Sequence, residues 1–136
     1  MEVKYNKSTE LRPEGRRLMD APVVPIDVPD FLNQIKNEPA WQDSDRNAMT
    51  VYKTDGMRIV LVALHKDAVM EKHTTNGVVS VQVLDGEIEF DTEGKSYNLK
   101  KGQIITLHRN VAHSVSATEE SVFLLTVADF IDNAQQ

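Results

Sequence analysis

The sequence predicts an all-β protein, a sandwich or barrel of antiparallel strands that follows an N-terminal extension. Short runs rich in Val, Ile, Thr and Phe recur from Met49 to Ala128, and glycine-containing pairs of turn residues separate them. No helical run of useful length interrupts these segments. Eight or nine short strands at this spacing are typical of a sandwich or barrel, not of a parallel α/β sheet.

The individual strands follow from the runs and the breaks between them. The breaks are Asp55-Gly56, Asn76-Gly77, Asp85-Gly86, Glu93-Gly94 and Lys101-Gly102, residues that tight turns require where a backbone angle is positive. We expect strands at 49–54, 57–65, 69–74, 78–84, 86–91, 95–99, 103–107, 111–116 and 121–128. Clean alternation of charged and apolar residues over 87–90 predicts one buried and one solvated face for that strand.

Two runs, 59–64 and 122–127, are apolar on both faces. An uncovered apolar face lowers solubility, so a second layer has to cover it. We expect the N-terminal segment and a homodimer interface to do so together.

The chain of 136 residues has the size of one domain, with an extension at 1–48 and the barrel at 49–136. All five prolines lie in the extension, where apolar residues are sparse. One short helix is expected there, with Asp27 as its N-cap and an apolar stripe that includes Phe31 and Ile35. Pro39 is expected to end it, and we expect the helix and Trp41 to pack on the sheet.

Composition excludes several functions. Fifteen Lys and Arg against twenty-one Asp and Glu give a formal charge of −6, which disfavours nucleic-acid binding. The absence of Cys excludes disulfides, a thiolate nucleophile, zinc fingers and iron–sulfur clusters. With no apolar run long enough to span a bilayer and no signal-peptide pattern, the expectation is a soluble cytoplasmic protein without membrane partners.

Two segments carry the candidate chemistry. His73 begins the segment HTTNGVVSVQVLDGEIEF, and His113 ends LHRNVAH, which follows Gly102. From about Met57 to Val127 the chain resembles the cupin superfamily, whose first motif has His-x-His, then a Glu, then six residues and a Gly, and whose second ends in His. The resemblance implies a double-stranded β-helix, also called a cupin or jelly-roll barrel.

The resemblance also implies where a metal would bind. In the family, two His and a Glu of the first motif and the His of the second hold the metal, and these positions are His73, Thr75, Val79 and His113 here. Two imidazoles without a carboxylate fall short of the sets that hold zinc or non-heme iron. No cofactor is therefore expected, and a divalent metal remains the less favoured alternative.

Glu71 is a weak candidate for restoring the missing carboxylate. If the strand through Met70 and Thr74 is regular, Glu71 and His73 point to the same side. His73, His113 and Glu71 would then be the metal ligands, if a metal binds at all.

The predicted ligand pocket combines inward polar and aliphatic side chains. Its residues are His73, Thr75, Val79, Val81, Leu107 and His113. Such a lining is typical of a small-molecule site. It is also typical of an ordinary barrel core, because interior side chains can fill a narrow barrel.

Three functions follow from this sequence. The first is a small single-domain cupin, poor in metal, that binds or senses a small molecule in its barrel as a homodimer. The second is an enzyme that uses His73 and His113, either a metal-free isomerase or epimerase, or a metal-dependent isomerase or dioxygenase. The third is a stable barrel that acts through protein contacts. No catalytic residue is assigned.

Overall fold

The computed structural model describes residues 3–6 and 17–128, and these form eleven strands and two helices. The elements of the N-terminal part are β1 (Lys4–Asn6), β2 (Arg17–Asp20), α1 (Val28–Asn37) and α2 (Pro39–Asp43). The strands that follow are β3 (Arg46–Thr54), β4 (Met57–Leu64), β5 (Val69–His73), β6 (Val78–Asp85), β7 (Glu87–Thr92), β8 (Lys95–Lys100), β9 (Ile104–Leu107), β10 (His113–Ala117) and β11 (Ser121–Ala128).

Two antiparallel sheets form the body of the molecule. One has five strands in the order β3-β4-β11-β6-β9, and the other has four in the order β5-β10-β7-β8. Alternating side chains from both sheets meet between them in one apolar core, which includes Val62, Val83, Phe90 and Phe123. The predicted all-β jelly-roll barrel is confirmed, and each expected strand after residue 48 is present with ends that differ by three residues or fewer.

The predicted helix begins where the sequence indicates. The backbone N–H of Asp30 donates to the Asp27 carboxylate over 3.1 Å, so Asp27 is the N-cap. The expectation of one helix is wrong, because α1 ends at Asn37 and α2 starts at Pro39. A proline that cannot continue a helix is well suited to the first helical position, where its N–H would lack a partner in any case.

Both helices lie on the outer face of the five-stranded sheet. Ile35 of α1 and Trp41 of α2 are buried against outward-facing side chains of β4 and β11, including Leu61 and Val122. Successive side chains of β4 therefore point to opposite faces of the sheet. Val62 and Leu64 pack in the barrel core, whereas Leu61 and Ala63 pack in this second core under the helices. The second face of the doubly apolar strands is thus covered by the same chain over much of its length.

The N-terminal part also contains a two-stranded antiparallel sheet that the sequence did not indicate. Strands β1 and β2 pair with each other, and the Arg17 guanidinium donates to the Thr50 carbonyl of β3 at 2.6 Å. Strand β3 begins at Arg46, before the predicted boundary at residue 48. The division of the chain into an extension and a barrel domain stays a prediction. Residues 1–2 and 7–16 of the predicted extension, and 129–136 of the predicted barrel domain, lie outside the described residues.

Neither helix in the described ranges has the length and apolar character needed to cross a membrane.

Candidate functional site

The structure brings His73 and His113 together. His113 begins β10 and His73 ends β5, and the two residues are directly paired across the strands. Their ring centroids lie 4.3 Å apart with 58° between the ring planes. His113 is buried, with 5% of its surface exposed, whereas His73 is exposed. The pair therefore reaches from the barrel interior to its rim.

Main-chain carbonyls determine the tautomer of both imidazoles. Nδ1 of His73 lies 2.8 Å from the Glu71 carbonyl oxygen, and Nδ1 of His113 lies 3.0 Å from that of Val111. A carbonyl only accepts hydrogen bonds, so each Nδ1 carries the proton and donates it. In the neutral form of each ring, Nε2 then holds the lone pair. The site consequently offers two hydrogen-bond acceptors.

The surroundings of His113 favour its neutral form. Burial lowers the pKa of His113 below the ordinary value, the hydrogen bond to Val111 acts in the opposite direction, and the proximity of His73 lowers it further. Its ring also lies nearly parallel to that of Phe90, at 5.3 Å between centroids and 7° between planes. At neutral pH, His113 is therefore an uncharged acceptor or base.

Three predicted pocket residues form an aliphatic wall on the opposite sheet. Val79 and Val81 point inward from β6, each with 2% of its surface exposed. Leu107 of β9 is paired with Val79 in the sheet and belongs to the same core. All three pack in the barrel core on the sheet that faces the histidine pair.

Thr75 lies in the loop that follows β5 and contributes through its backbone. Its carbonyl accepts a hydrogen bond of 2.9 Å from the N–H of Asn110, which connects this loop to the one before His113. Asn110 adopts φ = 59°, the left-handed conformation that Asn tolerates better than most residues. The two loops that carry the histidines are thus tied together.

The arrangement does not complete a metal site. The register of β5 shifts, so that Val115 pairs with Met70 and not with Glu71, and the regular strand on which the Glu71 hypothesis depended is absent at this point. The pKa of Arg46 is raised mainly by its hydrogen bond with the Asp45 carboxylate, and the charge of Glu71 adds to that effect. Within residues 3–6 and 17–128, no group of three His, Cys, Asp or Glu could hold a metal ion. Two imidazoles alone do not fit a resident zinc or non-heme iron.

A cleft of about 530 Å³ opens beside the site, between β8 and β9. It is lined by Thr92, Glu93, Tyr97, Leu99, Ile104, Ile105, Thr106, Leu107, His108 and Val111. Of the predicted pocket residues, Leu107 alone lines it. Two of its residues lie next to His113, because Thr92 is its strand partner and Val111 its hydrogen-bond acceptor.

Sequence reasoning missed several contributors to the site. The carbonyls of Glu71 and Val111 belong to the backbone and leave no signal in residue type. The alternation around Phe90 indicates an inward side chain, but not that it stacks on His113. The cleft arises from the divergence of two consecutive strands, which only the pairing of the sheets reveals.

The other two histidines lie outside the pair. The ring of His65 stacks on Trp41, with 3.5 Å between centroids, and its Nε2 lies 2.8 Å from the Trp41 carbonyl oxygen. It therefore fastens α2 to the barrel. His108 is exposed in the turn after β9, where it lines the cleft.

Comparison with known proteins places the chain among ligand-binding barrels. Residues 59–128 match the family model described as the AraC-like ligand binding domain. No curated protein matches the chain.

Among solved structures, a conserved protein of unknown function from Streptococcus pyogenes is similar at 24% identity and a TM-score of 0.62, covering 67% of this chain and 79% of that one. A cupin superfamily protein from Desulfitobacterium hafniense has 15% identity and a TM-score of 0.60, with coverages of 64% and 78%. A cupin-2 domain containing protein from Shewanella frigidimarina has 13% identity and a TM-score of 0.61, with coverages of 76% and 93%. At these identities the likeness concerns the fold alone.

Proposed function

Because the chain belongs to the family of AraC-like ligand-binding domains, which are of the cupin type, we propose that it binds a small molecule in its barrel without a resident metal. The observation that carries this proposal is the pair of imidazoles, His73 and His113, held by main-chain carbonyls so that both Nε2 atoms accept hydrogen bonds. Two fixed acceptors beside an aliphatic wall are typical of a small-molecule site.

The two histidines have different parts in this proposal. His113 is buried for most of its surface, and its Nδ1 is held by the Val111 carbonyl, so its Nε2 is left to accept a hydrogen bond from a ligand O–H or N–H. His73 is exposed at the rim, where its Nε2 accepts a second hydrogen bond from the ligand. Val79, Val81 and Leu107 form the apolar contact surface.

The experiment is a thermal-shift and NMR titration of chelator-treated protein with a panel of monosaccharides, small organic acids and aromatic alcohols. We expect at least one compound to raise the melting temperature and to shift the imidazole resonances of both histidines. The shift in melting temperature should disappear in His73→Ala, which removes an exposed side chain and leaves the core intact. A shift that persists in both His73→Ala and His113→Ala would exclude the pair as the binding site.

Metal content provides a separate test. Protein purified without chelator should contain far less than one equivalent of zinc, iron, manganese, nickel or copper per chain by elemental analysis. A retained equivalent that is lost in His73→Ala would replace the metal-free proposal with a metal-dependent cupin, either an isomerase or a dioxygenase.

A metal-free isomerase or epimerase is the second candidate, favoured by the lowered pKa of His113. A neutral imidazole with a free Nε2 can remove a proton from a carbon acid at neutral pH. Incubation of the same sugars and oxo acids in D₂O would then show carbon-bound deuterium by NMR, and the exchange would stop in His113→Gln. No exchange above the rate in buffer would leave ligand binding as the function.

Homodimer formation and a cytoplasmic location stay predictions from the sequence. Part of the apolar face that suggested a dimer is covered by α1 and α2. A further role through protein contacts would need the apolar residues that remain exposed, such as Met57 and Val78.

A further inference from the structure

The cleft between β8 and β9 results from a change of sheet. The two strands are consecutive and are joined by the turn at Lys101-Gly102, but β8 pairs with β7 while β9 pairs with β6. At the turn both ends are held to β6, since Gly102 donates to the Val83 carbonyl and Gln103 accepts from the Val83 N–H. Beyond it the strands diverge, and their free edges border the space of about 530 Å³.

The lining changes from apolar to polar along the cleft. Near the turn the side chains are Leu99, Ile104 and Ile105. At the far end, where β8 begins and β9 finishes, they include Glu93 and His108. A cleft of this composition matches a molecule with an apolar body and a polar head.

Two apolar side chains in the cleft are unusually open to water. Ile104 has 54% of its surface exposed and Tyr97 has 40%, although both are large hydrophobic residues. Both line the cleft, Tyr97 from β8 and Ile104 from β9, where Ile104 alternates with the core-facing Ile105 and so lies at the outer border of the cleft. A ligand body that lies along the cleft against both would bury this surface, and each square ångström of apolar area removed from water contributes about 25 cal/mol.

The polar end carries a negative charge. No cationic side chain of the described ranges forms an ion pair with Glu93, and no lysine or arginine lines the cleft. Glu93 also borders a groove on the outer face of the sheet, which Lys72 and Lys95 line. The chain as a whole carries a formal charge of −6, which attracts cations and repels anions at a distance. The charge at this end of the cleft is complementary to an ammonium head.

We propose that the cleft binds a small amphipathic amine, with its apolar or aromatic body against Tyr97 and Ile104 and its ammonium group at Glu93. This inference rests on the proposed function, because the same end of the cleft includes Thr92 and Val111, the immediate neighbours of His113. The lining of the cleft therefore determines which class of ligand can place its polar head beside His73 and His113.

The test is a titration of ¹⁵N-labelled protein with 2-phenylethylamine, compared with 2-phenylethanol, 3-phenylpropionate and ethanolamine. The amine should shift the amide resonances of 92–93, 97 and 104–108, and should bind about tenfold more tightly than the carboxylate, which corresponds to about 1.4 kcal/mol. Ethanolamine, which has the ammonium but no apolar body, should leave the spectrum unchanged. Equal affinity for all three aromatic compounds, or no binding of the amine, would overturn the proposal.

Variants identify the site. Glu93→Gln and Ile104→Ser should each weaken binding of the amine about tenfold or more. The matched controls Glu119→Gln and Val69→Ser change an exposed glutamate and an exposed β-branched aliphatic residue outside the cleft, and they should leave the affinity unchanged. If neither Glu93→Gln nor Ile104→Ser weakened binding of the amine, the proposal that it binds in the cleft would be wrong.

The same titrations separate the two proposals. Binding of the amine that survives the cleft variants but is lost in His73→Ala would overturn the cleft and support the barrel site. Loss in the cleft variants with full binding in both His73→Ala and His113→Ala would support the cleft and overturn the barrel site.

Discussion

The rings of His113 and Phe90 lie parallel on neighbouring strands, with 5.3 Å between their centroids and 7° between their planes. This stacking places a titratable group in the barrel core next to an apolar ring, and burial lowers the pKa of His113. The fold therefore tolerates the neutral imidazole better than the charged one.

Acidification should destabilise the fold through this residue. Because the folded-state pKa is lowered, the unfolded chain binds the proton more readily, and stability rises with pH between the two pKa values. The stability that depends on a neutral His113 is fully present above the ordinary pKa of about 6.5, and it is lost as the pH falls through the lower pKa of the folded state. Melting temperatures from pH 8 to pH 5 should fall more for the native chain than for His113→Gln. The control His108→Gln changes an exposed histidine outside the pair and should follow the native curve, and parallel curves for all three proteins would contradict the prediction.

Gly86 should tolerate no side chain. It has φ = 80°, and an added Cβ would overlap the Glu120 carbonyl oxygen and the Ser121 hydroxyl. We expect Gly86→Ala to lower the free energy of unfolding by about 2 to 5 kcal/mol, from overpacking and from the left-handed backbone together. Gly94 has a similar φ but open space around it, so Gly94→Ala should cost only about 1 kcal/mol. Urea unfolding followed by circular dichroism measures both, and equal losses would show that the close approach to β11 is unimportant.

The packing of α1 on the sheet should contribute strongly to stability. Ile35 is fully buried in the second core, so Ile35→Ala should lower the free energy of unfolding by about 2 to 5 kcal/mol. Asn33 is exposed on the same helix, and Asn33→Ala should change it by about 0.5 kcal/mol at most. If Ile35→Ala were as mild as the control, the helices would be dispensable for the barrel.

The turn before His113 should depend on a left-handed residue. Asn110 has φ = 59°, which costs most L-residues about 1 to 2 kcal/mol. Asn110→Ala should therefore lower the free energy of unfolding by roughly that amount, whereas Asn110→Gly should be close to neutral. Equal effects of the two substitutions in urea unfolding would argue against the turn conformation.

A homodimer would use an exposed apolar row at one end of the five-stranded sheet. Met57 and Val78 both pair with Ala128, so the three side chains lie side by side on the outer face. Light scattering should give twice the chain mass of 15.3 kDa for the native protein. The double variant Met57→Glu, Val78→Glu should have the single mass, because it places charges in that row. A native protein with the single mass would refute the dimer.

Much of the barrel follows from local signals. The turn pairs and the period-two alternation are properties of neighbouring residues, and they predicted the strands after residue 48 to within three residues at either end. The cap at Asp27 was equally local. The second helix was missed because Pro39 ends one helix and begins another, and the type of residue alone does not distinguish these positions.

Local sequence signals predict the candidate site less well than they predict the barrel. That His73 and His113 could meet was an implication of family resemblance, but a one-residue shift in the pairing of β5 with β10 removed the basis for adding Glu71 to them. A shift of one residue reverses which face a side chain points to, and no short-range pattern encodes it.

The sequence by itself determined the strands, the turns and the residue types available for binding, because these depend on the preferences of each residue and its neighbours. Tertiary structure alone decided the tautomers of His73 and His113, the cover over the outer sheet and the cleft between β8 and β9. Each of these depends on which distant strand becomes a neighbour, and the free energy of that choice is shared over the whole core.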